Sequence, residues 1–104
     1  MSRDKAAQLT VIYWRDIPSQ VMAKKGRERY SVELSPRFLK AIDSAAMFAG
    51  KTDSDAYMAY WRKDTKDCSD DFKAEADALA KELEEAYSKE DLRLLIKSKG
   101  VKEA

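Results

Sequence analysis

The chain repeats one pair of residues, Trp14-Arg15 and Trp61-Arg62, and the first pair runs on into Asp16. A guanidinium can stack on an indole face and can pair with a carboxylate through two parallel hydrogen bonds. Trp and Arg are also side chains that concentrate binding energy at protein interfaces. Such residues suit recognition of a partner better than bond-breaking, so Trp14, Arg15, Asp16, Trp61 and Arg62 form the candidate partner-binding set. A plainer reading makes the tryptophans core anchors and Arg15 and Asp16 rim charges. The arginines separate the two readings. Arg15→Ala/Arg62→Ala is expected to keep stability within ~1 kcal/mol, as exposed charges do, and to weaken partner capture.

The chemistry of catalysis finds little to work with. There is no histidine, which removes the commonest general base, the commonest metal ligand and every Ser-His or Cys-His pair. With a single cysteine, Cys68, the usual zinc ligand sets cannot form. Three well-separated glycines make no phosphate-cradling loop. No cofactor is expected, no residue is assigned as catalytic or metal-binding, and the chain is read as not an enzyme. Carboxylates alone, Asp16 with Glu33 for instance, could do acid–base work, but the spacing selects no pair. Cys68 lies beside Asp67, Asp70 and Asp71, whose charges oppose the thiolate, so it reads as incidental. Its being alone also excludes an internal disulfide and fits a reducing cytoplasm.

Lys24, Lys25, Arg27 and Arg29 are the one concentrated basic feature. On a hairpin they could meet a nucleic-acid backbone, which makes residues 24–29 the alternative functional surface. Glu28 interrupts them, and the net charge of the chain is only +1; a solvated turn whose lysines guard an edge strand is the favoured reading, because the charge excess is small. Residues 1–35 carry seven Lys/Arg and four Asp/Glu, and residues 65–104 carry eight and eleven. The two halves of one domain can therefore attract each other.

The apolar spacing supplies the elements that hold these groups. Leu9 to Trp14 is a strand with both faces substantially apolar, and Pro18 is expected to interrupt pairing after it. Gln20 to Lys25 and Glu28 to Leu34 read as a hairpin about Gly26-Arg27. Ser35-Pro36 opens a helix whose stripe is Phe38, Ile42, Ala45 and Ala49, closed by Gly50. Residues 52–55 loosely match a capping box, opening a short helix that carries Tyr57, Tyr60 and Trp61. Lys63 to Asp71 reads as a polar linker. Ser69 is expected to cap a long helix with the stripe Phe72, Ala76, Leu79, Leu83 and Ala86, and Ser88 to open a last one ended by Gly100. Residues 1–7 are expected to be a flexible tail. No apolar run is long enough to span a membrane and no leader pattern precedes the first strand, so a cytoplasmic protein is expected.

The run VIYWRDIPSQV, the hairpin, LSPRFLKAIDSAAMFAG and DAYMAYWRK together resemble the bacterial virulence factor domain family. The resemblance is most specific from about Gln8 to Lys63. Trp14, Arg15, Asp16, Pro18 and Trp61 are the positions that match. Similar chains occur as small stand-alone proteins, and the domain also occurs beside helical repeats in the larger conserved virulence factor C. The resemblance implies an accessory role, virulence-associated or in folate and corrinoid one-carbon methyl transfer. It supplies no catalytic residue and no cofactor.

These readings combine into one α+β domain over residues 8–104. A small antiparallel sheet of about three strands packs against three to four helices, with residues 8–63 as the family core and 69–100 as C-terminal helices. The expected function is a non-catalytic interaction module binding a larger protein, itself a monomer or weak dimer. Phe38→Ala or Ile42→Ala is expected to cost ~2–5 kcal/mol by leaving a cavity; a denaturant melt that moves by less than ~1 kcal/mol would place that helix face outside the core.

Overall fold

β-Branched and aromatic residues at alternate positions pull the chain into a sheet, and apolar stripes at helical spacing lay helices against it. In a computed structural model that describes residues 7–50 and 54–101, the order is β1 (Ala7–Trp14), β2 (Ile17–Lys25), β3 (Glu28–Glu33), α1 (Pro36–Phe48), α2 (Ser54–Ala59), β4 (Trp61–Cys68), α3 (Phe72–Ala86) and α4 (Lys89–Lys97). The sheet is antiparallel throughout, in the order β3-β2-β1-β4. This is the expected α+β architecture with one more strand.

The added strand is β4. Its sequence, WRKDTKDC, falls largely within the stretch read as a linker, and it pairs with β1 from Trp14↔Trp61 to Ala7↔Cys68. Every residue from Arg62 to Asp67 is exposed. Charged edge strands of this kind resist pairing with other chains, and they carry none of the apolar alternation by which strands are recognised. Trp61 consequently begins β4 and does not extend the face of α2. At the other end of β1, Ala7 is a buried strand residue and not part of a tail; residues 1–6 and the expected capping positions 52 and 53 lie outside the described residues.

Pro18 does not stop pairing either. β1 and β2 join through a two-residue turn, Arg15-Asp16, and pairing resumes at Trp14↔Ile17 and Tyr13↔Pro18. An irregularity between Ile12 and Tyr13 shifts the register, as expected where a proline withholds its donor. The hairpin at Gly26-Arg27 is as expected, with Lys25↔Glu28 closing it and Gly26 at φ 61°.

α3 crosses one face of the sheet. Tyr30 donates its hydroxyl to Asp77 at 2.8 Å, and Lys25 pairs with Asp70 at 3.3 Å. The second contact joins the basic and acidic halves of the chain. At the turn end of the β1–β2 hairpin, α1 and α4 pack against each other. Phe38, Ile42, Ile17, Val21 and Trp14 are there fully buried.

Arg37 binds the start of α1 to the end of α3. It donates to Glu84 Oε1 at 3.1 Å and to the carbonyls of Glu84 and Tyr87 at 2.7 Å each. Glu84 also accepts from the Ser35 amide at 2.5 Å and the Ser35 hydroxyl at 2.9 Å. Ser35 thus sits at the N-cap but spends its hydroxyl on α3. The expected cap at Ser69 is displaced as well: Asp71 is the N-cap of α3, and the Ser69 amide donates to Glu75 at 2.7 Å. Ser88 does cap α4, in a reciprocal box with Asp91.

Candidate functional site

A two-residue hairpin turn requires positive φ, and here the chain supplies it without glycine: Arg15 has φ 55°. That conformation costs an ordinary residue about 1–2 kcal/mol, so neighbouring contacts must hold it. The Arg15 amide donates to the Tyr60 carbonyl at 3.0 Å, and the Asp16 amide to the Gly100 carbonyl at 2.8 Å. The Arg15 guanidinium donates to the Lys99 carbonyl at 2.9 Å and lies 4.1 Å from the Tyr60 ring and 5.3 Å from the Trp14 ring. The chain beyond α4 and the residue before β4 thereby clamp the turn from two sides.

Arg62 completes the arrangement. From the first positions of β4 its Nε donates to the Arg15 carbonyl at 2.9 Å, while its terminal nitrogens reach Asp64 at 3.0 Å and Asp16 at 3.4 Å. Its guanidinium lies 4.3 Å from the Tyr13 ring. Burial, followed by the nearby Tyr87 and Asp64, raises the Tyr13 phenol above its ordinary value.

The five candidates therefore meet, but in different roles. Trp14 is completely buried and donates its indole N–H to the Tyr57 carbonyl at 2.8 Å. Tyr57 stacks on it at 5.9 Å and meets Trp61 edge-on at 5.8 Å. Trp61 is half-buried, Arg15 and Asp16 likewise, and Arg62 is exposed. Trp14 is the anchor, and Arg15, Asp16, Trp61 and Arg62 form the outward rim. The expectation that the arginines contribute under ~1 kcal/mol does not fit this geometry. Both hold carbonyls of the clamp, and their joint removal is expected to cost about 1–3 kcal/mol, with Arg62's ion pairs discounted for exposure.

Residues that single-sequence reasoning did not assign to this site are Tyr13, Tyr60, Lys99 and Gly100. The last two arrive from the far end of the chain, and no local pattern announces such a contact. Beside the rim lies a groove of about 650 Å³ lined by Ala86, Tyr87, Asp91, Leu94, Leu95, Lys97 and Ser98. Leu94 is 55% exposed there, and the Tyr87 hydroxyl reaches the Asp16 carbonyl at 3.4 Å, which makes groove and rim continuous.

The basic hairpin is divided between the two sheet faces. Lys24 and Arg29 are cross-strand partners on the face away from α3, Arg27 is exposed at the turn, and Lys25 pairs with Asp70. Asp16 is engaged by Arg62, while Glu33 stands exposed on β3 opposite Gln20. Among the described residues no cluster of three or more acidic or cysteine side chains could hold a metal. Burial, then Glu75 and Asp67, raises the Cys68 thiol above its ordinary value, which disfavours the nucleophilic thiolate. Among the described residues no helix is long and apolar enough to cross a membrane.

A family model described as virulence factor matches residues 12–96, reaching well past β4 into α4. No curated protein and no solved structure matches the chain.

Proposed function

The chain belongs to the virulence factor family, and from that premise we propose that it is a non-catalytic interaction module that docks on a larger protein through the rim of the Trp14 clamp. The observation that carries this reading is the rim itself. Two arginines are fixed by hydrogen bonds to backbone carbonyls and lie against two half-buried tyrosines, with half-buried Trp61 packed edge-on to Tyr57, beside an apolar groove that exposes Leu94. Side chains so ordered before binding lose little entropy on meeting a partner, and aromatic and arginine side chains beside an apolar pocket are the usual makings of a hot spot. The absence of histidine from the chain supports a role without acid–base chemistry. The accessory role in virulence or in folate and corrinoid methyl transfer is one setting for such a module, with the partner among the larger proteins of that machinery.

The experiment is affinity capture from an extract of the source cells, comparing the wild type with Arg15→Ala/Arg62→Ala. The double variant is expected to remain folded by circular dichroism and to recover at least tenfold less of whatever the wild type retains specifically. Equal recovery by both proteins would remove the rim from the binding surface, and no specific recovery by either would reject the module reading.

A further inference from the structure

The face of the sheet away from α3 is a regular grid, and its charges follow a pattern. Reading across β3-β2-β1-β4, the three rows are Arg29-Lys24-Gln8-Asp67, Ser31-Met22-Thr10-Thr65 and Glu33-Gln20-Ile12-Lys63. The corners are therefore Arg29 and Asp67 at one end, Glu33 and Lys63 at the other, all four exposed. Signs alternate from corner to corner, so each edge of the face joins a corner cation to a corner anion, and Lys24 adds a further cation beside Arg29. Among the described residues none of these corner charges has an ion-pair partner; Asp67 is met only by Gln8 Nε2 at 3.5 Å. The middle holds half-buried Ile12 and Met22 with a Thr10–Thr65 hydroxyl contact of 2.9 Å.

We infer that this face binds the same face of a second copy of the chain. An isologous contact must be self-complementary, and a grid with alternating corners is so in either way that two sheets can be laid face to face with their strands aligned. A two-fold axis along the strands sets Arg29 on Asp67 of the second copy and Glu33 on its Lys63. An axis across the strands sets Arg29 on Glu33 of the second copy and Asp67 on its Lys63. In both cases Lys24 meets a glutamine, and no like charges face each other. A nucleic acid fits the face less well, because Glu33 and Asp67 would oppose its phosphates.

Four strands about 4.8 Å apart and three rows about 7 Å apart cover about 400 Å², half of what a standard interface buries on each partner. The dimer is accordingly weak and salt-sensitive.

Sedimentation equilibrium of the full chain tests this, from about 10 µM to about 1 mM protein at about 50 mM and about 500 mM salt. The expected result is a reversible dimer whose association weakens at least tenfold at the higher salt. Glu33→Lys/Asp67→Lys makes the grid wholly cationic, and Lys24→Glu/Arg29→Glu/Lys63→Glu makes it wholly anionic. Each variant alone is expected to be monomeric, and an equal mixture to form a heterodimer at least tenfold tighter than the wild-type dimer. A wild type that stays monomeric throughout overturns the inference without any variant. So does a dimer indifferent to salt and to these substitutions, or a failure of two folded variants to associate. Tighter binding of a labelled single-stranded oligonucleotide than of a second copy would transfer the face to nucleic acid and overturn it equally.

Discussion

Trp14→Ala is expected to lose about 4–6 kcal/mol of stability, combining a large core cavity with a lost indole hydrogen bond. That is a large share of the ~5–15 kcal/mol that a domain of this size ordinarily has, so the variant should melt far below the wild type. The size follows from position. Trp14 ends β1, opposes Ile17 across the turn and Trp61 across the other flank, and is completely buried. Tyr57 and Tyr60 each lie 5.9 Å from its ring. Truncation leaves the Tyr57 carbonyl without its donor and both rings without their neighbour. Denaturant unfolding is the measurement, with near-ultraviolet circular dichroism reporting the aromatic cluster. Trp14→Phe should keep the fold at a cost of about 1–3 kcal/mol. A Trp14→Ala protein melting within ~1 kcal/mol of the wild type would show that the clamp closes around something else.

The contrast between Trp14 and Arg62 shows what the sequence could reveal. β1, the Gly26 hairpin, α1 and α4 are legible because each carries an internal signal: β-branched density, a two-residue link with glycine, Ser-Pro before an apolar stripe, or Ser88 three residues ahead of Asp91. β4 carries none, because an exposed edge strand needs charge and not alternation. Its register is set by β1, a partner some fifty residues away. The same distance hid half of the site. That Trp14, Arg15, Asp16, Trp61 and Arg62 would gather could be suspected from two matching dipeptides; that they would be held by the carbonyls of Lys99 and Gly100 could not. A backbone acceptor has no side chain to mark it. Even the division of Lys24 from Lys25 needs the register, since neighbouring strand residues point to opposite faces.

Gly100 is where the far end of the chain becomes a condition of the site. Gly100→Ala is expected to cost about 2–6 kcal/mol, combining strain at positive φ with overpacking against a full core. The residue has φ 86°, is buried, donates to the Leu95 carbonyl at 2.7 Å, and accepts from the Asp16 amide. A Cβ placed on it would lie 2.9 Å from one atom of the six-membered ring of Trp14, 3.3 Å from the next and 3.4 Å from the Arg15 Cδ. Neither neighbour can yield easily, since the indole is held by Tyr57 and the Arg15 side chain by Lys99. The two contributions can be separated with a second substitution. Phenylalanine at position 14 is smaller than the indole, so Trp14→Phe should relieve the clash and leave the φ strain. The double variant Trp14→Phe/Gly100→Ala is therefore expected to be more stable than the sum of the single effects allows, by about 1–2 kcal/mol in a double-mutant cycle. Strict additivity would mean that the glycine is needed for its backbone alone. A cost below ~1 kcal/mol for Gly100→Ala would mean that the chain after α4 does not press on Trp14 at all. That second outcome would leave the rim to be explained without the clamp at its back.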